Sequence, residues 1–210
     1  MAHGGLISHQ PISAAVRFYR FAPLETFPNV TPGTLNPPFG DNLVAVLYSN
    51  EELRQRIGAV VRSQGFRLQL KPAENEMWIA KDVNDELYSY PWKSVSETIR
   101  RVVFFMAVLE TNQNMTLLFD EPEANTFPFY TKYLAERIAL DETNQFFITT
   151  HNPYLLSSII EKTPKDKLAV FVTRMEKFET KVKQVPEKNL PELLELDSDV
   201  FFNLDRLVDE

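Results

Sequence analysis

Three carboxylates and a histidine stand where apolar runs end. The stretch MTLLFDEPE (115–123) carries apolar residues straight into Asp120 and Glu121, followed by Pro122 and Glu123. A second stretch, FFITTHNP (146–153), repeats the layout and ends its apolar run before His151. Short apolar runs that stop at charge predict buried strands, and in parallel α/β sheets ligands sit beyond the carboxyl ends of the strands. Side chains alternate along an extended chain, so Asp120 and Glu121 point to different sides and suit different tasks. A lone carboxylate suits a magnesium ion that keeps most of its water. Its neighbour suits the acceptance of a proton from an attacking water. A histidine at the end of the adjacent strand suits contact with a phosphoryl oxygen. The three together suit phosphoryl transfer, in which catalysis is mostly positioning and electrostatics. Each taken singly has a plainer reading. An Asp-Glu pair also starts loops and caps helices, and a histidine after a strand is also a structural residue.

The elements that must position these residues can be read from periodicity. VRFYRF (16–21) alternates and predicts a strand, and a proline-rich loop follows over 22–41. Two helical patches fill 43–64, broken near Ser49-Asn50, with Asn50 placed to cap the second. FRLQL (66–70) and EMWIA (76–80) predict a hairpin around KPAEN, and 81–93 reads as polar loop. Ser94 or Ser96 opens a helix to about Asn112, with Ile99, Val102, Val103, Met106 and Leu109 at helical spacing. The strand at 115–119, a helix over 128–140, the strand at 146–150 and a helix after Pro153 come next. KLAVFVTRM (167–175) reads as a third apolar strand, FETKVKQV (178–185) as its possible hairpin partner, and the end from Leu190 as helical. From residue 94 onward helices and strands alternate, which predicts an α/β fold with parallel strands flanked by helices. The expected segments are a flexible lead at 1–14, a strand, loop, helix and hairpin segment at 15–92, an α/β core at 93–175, and a hairpin strand with an acidic helical tail at 176–210.

Composition narrows the class. The chain has 210 residues, 44% of them hydrophobic, which is enough for a substantial core. It has no cysteine, which excludes a disulfide scaffold, a thiolate metal site and a cysteine nucleophile and fits a cytoplasmic location. No apolar run approaches the roughly 20 residues of a membrane helix, and the N-terminus lacks the pattern of a secretory signal. Of the net charge of −7, residues 186–210 hold −6, from eight acids and two bases, leaving −1 for the rest. An acidic tail argues against broad non-specific nucleic-acid binding but leaves room for a local basic groove.

The order apolar-DEPE, helix, apolar-TTHNP resembles the Walker B strand and histidine switch of ABC-type ATPases, most closely the stand-alone SMC-like and OLD-like ATP-binding proteins of bacteria. That resemblance implies ATP and Mg2+ as ligands. Asp120 would serve the magnesium, Glu121 would polarise the water and His151 would sense the γ-phosphate. It places ANTFP (124–128) where the family has a loop that touches the opposite subunit. KSVSETIRR (93–101) falls at the family's signature, Leu-Ser-x-Gly-Gln/Glu. Ser94 matches the serine and Glu97 the acid, whereas Lys93 and Ser96 stand in place of leucine and glycine; the resemblance implies that Ser94 and Ser96, at this helix start, contact the nucleotide. A serine-capped helix with a glutamate three positions on explains Ser94 and Glu97 equally well.

One part of such an ATPase is not in the sequence. GxxxxGK[ST] supplies the amides and lysine that hold the β- and γ-phosphates. The six glycines, at 4, 5, 33, 40, 58 and 65, include none followed by lysine. The resemblance therefore covers the C-terminal half of the fold, with an incomplete sheet. It implies a phosphate loop supplied in cis by an N-terminal half or in trans by a partner chain. It also implies a homodimer, or pairing through an exposed sheet edge. Two other functions stay open: a binding or dimerisation module presenting Phe127, Phe129 and Tyr130, and a metal-dependent nuclease using Asp120, Glu121 and Glu123. The second lacks clustered lysine and arginine in the sequence.

Overall fold

The structure is a computed structural model and describes residues 15–196, 201 and 203. The expected lead at 1–14 and most of the far end of the acidic tail lie outside the described residues. Strand β1 (Val16–Tyr19) is followed by the proline-rich loop, helices α1 (Leu43–Ser49) and α2 (Glu51–Ser63), and strands β2 (Arg67–Lys71), β3 (Glu76–Val83) and β4 (Glu86–Pro91). Then come α3 (Glu97–Thr111), β5 (Thr116–Asp120), α4 (Pro128–Ala139), β6 (Gln145–Thr149) and α5 (Pro153–Lys162). Strands β7 (Phe171–Glu176) and β8 (Glu179–Gln184) and helix α6 (Leu190–Leu196) complete the order.

The central sheet has the order β1-β5-β6 and is parallel throughout, as the α/β reading expected. Its register aligns Tyr19, Phe119 and Ile148, and one residue back Phe18, Leu118 and Phe147. These two rows face opposite sides. The first side holds the main core. Phe104 and Phe105 on α3 stack edge to face at 5.1 Å, Phe105 meets Phe119 at 5.2 Å, and Phe119 meets Phe146 at 5.8 Å. The buried rings of Phe104, Phe105 and Phe119 each contribute about 1.5–3 kcal/mol by burial, with somewhat more from edge-to-face contact. Among the described residues the other side is uncovered. Val16 is 59%, Phe18 42% and Phe147 55% exposed, around a half-buried Leu118.

The proline-rich loop is built into the core. Tyr19 is fully buried and its hydroxyl donates to the Leu35 carbonyl at 2.5 Å. The buried Asn42 amide accepts from Asn36 N–H and donates to the Thr31 and Thr34 carbonyls, tying the loop end to α1. Gly40 has φ +71°, and a Cβ there would lie 3.0 Å from the Phe104 ring, so both its backbone and its packing require glycine.

Two sequence expectations are corrected. The stretch 81–93 is not all loop: β3 runs to Val83 and pairs with β4 across a tight turn at Asn84-Asp85, both with positive φ. Asn and Asp tolerate this left-handed geometry, which a two-residue hairpin turn requires. The apolar run at 167–175 does not join the parallel sheet. Its strand β7 pairs antiparallel with β8 in a separate two-stranded sheet. Only Val172 of β7 is buried, so the run covers one face, whereas a parallel strand needs both covered. The two-residue turn at Lys177-Phe178, again with positive φ, sends the chain straight back. Val172, Val185, Leu190, Leu193 and Ile160 form a second, smaller core against α5 and α6.

Candidate active site

Strands β5 and β6 are register neighbours, so their carboxyl ends arrive together and Asp120 lies opposite Thr149. The Thr149 hydroxyl donates to Asp120 Oδ1 at 2.5 Å. By alternation, Asp120 emerges on the uncovered side of the sheet, the side of Leu118. Glu121 extends the ladder by one more bond, its N–H donating to the Thr149 carbonyl at 3.1 Å. It then leaves the strand with φ +44°, a left-handed conformation that costs a non-glycine residue about 1 kcal/mol. The Glu121 side chain reaches the residue that follows the neighbouring strand. Its Oε1 lies 3.3 Å from His151 Nδ1. The pair is solvent-exposed, so it adds little to stability and serves mainly to orient the two groups. An Nδ1–H donated to the carboxylate leaves Nε2 directed elsewhere and available to a ligand.

The loop that carries His151 is fixed at both ends. On its C-terminal side the Asn152 side chain caps α5, accepting from Tyr154 N–H at 2.9 Å and Leu155 N–H at 3.3 Å, and Pro153 occupies the first turn. On its N-terminal side the Thr150 hydroxyl accepts from Asn152 N–H and donates to Glu123 Oε1. Glu123 is 3% exposed, and its Oε2 has no hydrogen-bond partner. Burial pushes its carboxyl above the usual carboxylate range, against the pull of the Thr150 bond. Glu123 thus faces inward and braces the histidine loop, whereas Asp120 and Glu121 face outward.

The serines lie apart from this cluster. Ser94 ends a short 3₁₀ turn (Trp92–Ser94), and Ser96 is the N-cap of α3, its hydroxyl accepting from Ile99 N–H at 3.4 Å. No hydrogen bond among the described residues joins either serine to Asp120, Glu121 or His151. The link between the two regions runs through Asn125. Its side chain donates to Glu97 Oε1 at 3.1 Å, and its carbonyl accepts from the Thr98 hydroxyl at 2.9 Å. The Asn125 and Arg101 bonds hold the Glu97 carboxyl below its usual range. Thr149, Thr150 and Asn125 are site residues that the sequence reading did not single out. The signal for the threonines was their place within TTHNP, directly before the histidine.

Asp120 suits a magnesium ion that needs one carboxylate and otherwise takes water and phosphate oxygens. No group of three or more ligating residues able to hold a metal by protein ligands alone occurs among the described residues. Nor is any described helix long and apolar enough to cross a membrane.

Solved structures and a family model match parts of the chain. A solved structure from work on the ATP-driven dimerization and DNA-stimulated activation of SMC ATPases is 16% identical, with a TM-score of 0.49, over 73% of this chain and 95% of that one. An SmcHead bound to the C-winged helix domain of ScpA is 15% identical, with a TM-score of 0.49, and the match spans 72% of this chain and half of that one. No curated protein matches the chain. A family model described as "AAA domain, putative AbiEii toxin, Type IV TA system" matches residues 44–157, from α1 through the first half of α5. That span is more than half of the chain and includes Asp120, Glu121 and His151, so the chain belongs to this AAA-domain family, of the P-loop NTPase-like ATPases.

Proposed function

We propose that the chain is the Walker B and switch portion of an ATPase whose phosphate loop is supplied by another segment, in cis or on a partner chain. The observation that carries this is the meeting of Asp120, Glu121 and His151 at the ends of adjacent parallel strands, with Glu121 and His151 in contact. In this reading Asp120 would hold the magnesium ion of a bound Mg-ATP, which would supply charge neutralisation at the phosphates. The chain's own groups do the rest. Thr149 fixes the Asp120 carboxylate. Glu121 takes the proton from the attacking water. His151 orients Glu121 through Nδ1 and meets the phosphoryl group with Nε2. Glu123 and Thr150 keep the histidine loop in place.

The uncovered sheet side supports the same reading. A phosphate loop joins a strand to a helix and seats the phosphate on that helix's N-terminus. A helix that presents phosphate to Asp120 runs down the side on which Asp120 emerges, over Phe18, Leu118 and Phe147. Calorimetric titration with Mg-ATP tests this. The chain alone shows no micromolar binding. Binding appears when a polypeptide bearing GxxxxGK[ST] from the same system is joined or added, and Phe147→Asp prevents that restoration. Micromolar binding by the chain alone overturns the proposal.

A second reading, a non-catalytic binding or dimerisation module, is favoured by one observation. Phe127 and Phe129 are 67% and 75% exposed just after the acidic cluster. In that reading Phe129→Ala weakens self-association at least tenfold in sedimentation experiments. Association unchanged by Phe129→Ala, or a monomer at every concentration, counts against it.

A further inference from the structure

One wall of the molecule runs against its overall charge. Helix α2 and strand β2 border an open groove of about 900 Å³, lined by Tyr48, Arg54, Gln55, Gly58, Arg62 and Arg67 with no carboxylate among the lining residues. Arg54, Gly58 and Arg62 are spaced by four along α2 and so share one face. The arginines are individually prepared. Arg54 donates to the Leu47 and Tyr48 carbonyls at the end of α1, which fixes its guanidinium at the groove edge. The Arg62 side chain has no hydrogen bond or ion pair among the described residues and is exposed. Its Nη1 would lie 3.2 Å from a Cβ at position 58, so glycine there makes room for the guanidinium to lie back along the helix. A glycine inside a helix is less stable than alanine, and the Arg62 guanidinium is what a Cβ at position 58 would meet. Arg67 is paired with Asp82 at 2.6 Å, but both groups are exposed, so a phosphate can replace the carboxylate at little loss. Of the other nearby acids, Glu51 is engaged with Gln55, and Glu52 with Arg56. Tyr48, 62% exposed, adds a flat aromatic surface at the mouth.

Guanidinium groups along a groove with an exposed ring at its mouth are what a single-stranded nucleic acid needs: cations for the backbone and a face for a base. We propose that the α2–β2 groove binds a short stretch of single-stranded nucleic acid, the arginines on its phosphates and Tyr48 against a base. The site is separate from the carboxylate–histidine cluster and does not depend on ATP.

Fluorescence anisotropy of a labelled twelve-nucleotide dT strand tests it on the full chain. Binding is expected at low salt. Three phosphate contacts give an affinity that falls by about two decades per decade of salt. Arg62→Glu weakens binding about tenfold or more with unchanged circular dichroism, since its side chain holds no part of the fold. Lys165→Glu, at a distant exposed position, leaves binding as it was. Tyr48→Ala weakens the dT strand but not an abasic strand of equal length, which separates stacking from phosphate contact. Failure to bind at 100 µM strand overturns the proposal. So does binding that Arg62→Glu leaves unchanged, or a duplex bound as tightly as the single strand.

Discussion

Glu121 and Glu123 are two residues apart, and their surroundings drive them to different work. Glu121 sits in a strained left-handed turn, exposed and against His151. Glu123 is buried against Thr150 with one oxygen unpartnered. A carboxyl whose pKa is raised in the folded state binds its proton more tightly there than in the unfolded chain. Its contribution to stability is full below the unfolded value near 4.5 and is lost as pH rises through the folded value. Glu123→Gln keeps an acceptor for the Thr150 hydroxyl and removes the titration. Thermal melts therefore show the variant about 2–4 °C above the parent at pH 8, for an effect of order 1 kcal/mol, and level with it at pH 4. A gap that does not change with pH means the burial of Glu123 is not what sets its proton affinity.

At the scale of elements, α3 tells capping and signature apart. Ser96 accepts a bond from Ile99 N–H, whereas Ser94 lies before the helix and caps nothing. Ser96→Ala costs about 1 kcal/mol in chemical denaturation, and Ser94→Ala stays within about 0.5 kcal/mol. Equal costs for the two overturn this assignment. Much of the local structure was legible. Asn50 caps α2 as its position before Glu51 and Glu52 suggested, and the apolar positions of α3 are buried as their spacing required. The runs into Asp120 and before His151 are neighbouring parallel strands. Less legible were features that depend on partners distant in sequence. β7 reads as apolar as β5, and only the second core shows that it is covered on one side. The turn at Asn84-Asp85 lacks the usual glycine, so its hairpin was hidden. The burial of Glu123 against Thr150, 27 residues on, is not revealed by any spacing rule. Arg54 and Arg62 face Arg67 only because α2 packs on β2.

At the scale of the molecule, the central sheet is finished on one side and, among the described residues, bare on the other. Core aromatics cover Phe119 and Phe146, while Val16, Phe18 and Phe147 meet solvent. Parallel strands are normally covered on both faces, and the proposed function accounts together for the side left exposed among the described residues, the absence of GxxxxGK[ST] from the sequence and the direction of Asp120. In the proposed function the chemistry of Glu121 is conditional on another segment. The most direct measurement is the steady-state rate of ATP hydrolysis by the chain completed with its phosphate-loop polypeptide. The account predicts turnover that Glu121→Gln lowers by about 100-fold or more while ATP binding persists, and none from the chain by itself. An undiminished rate in Glu121→Gln, or turnover by the chain alone, would contradict it.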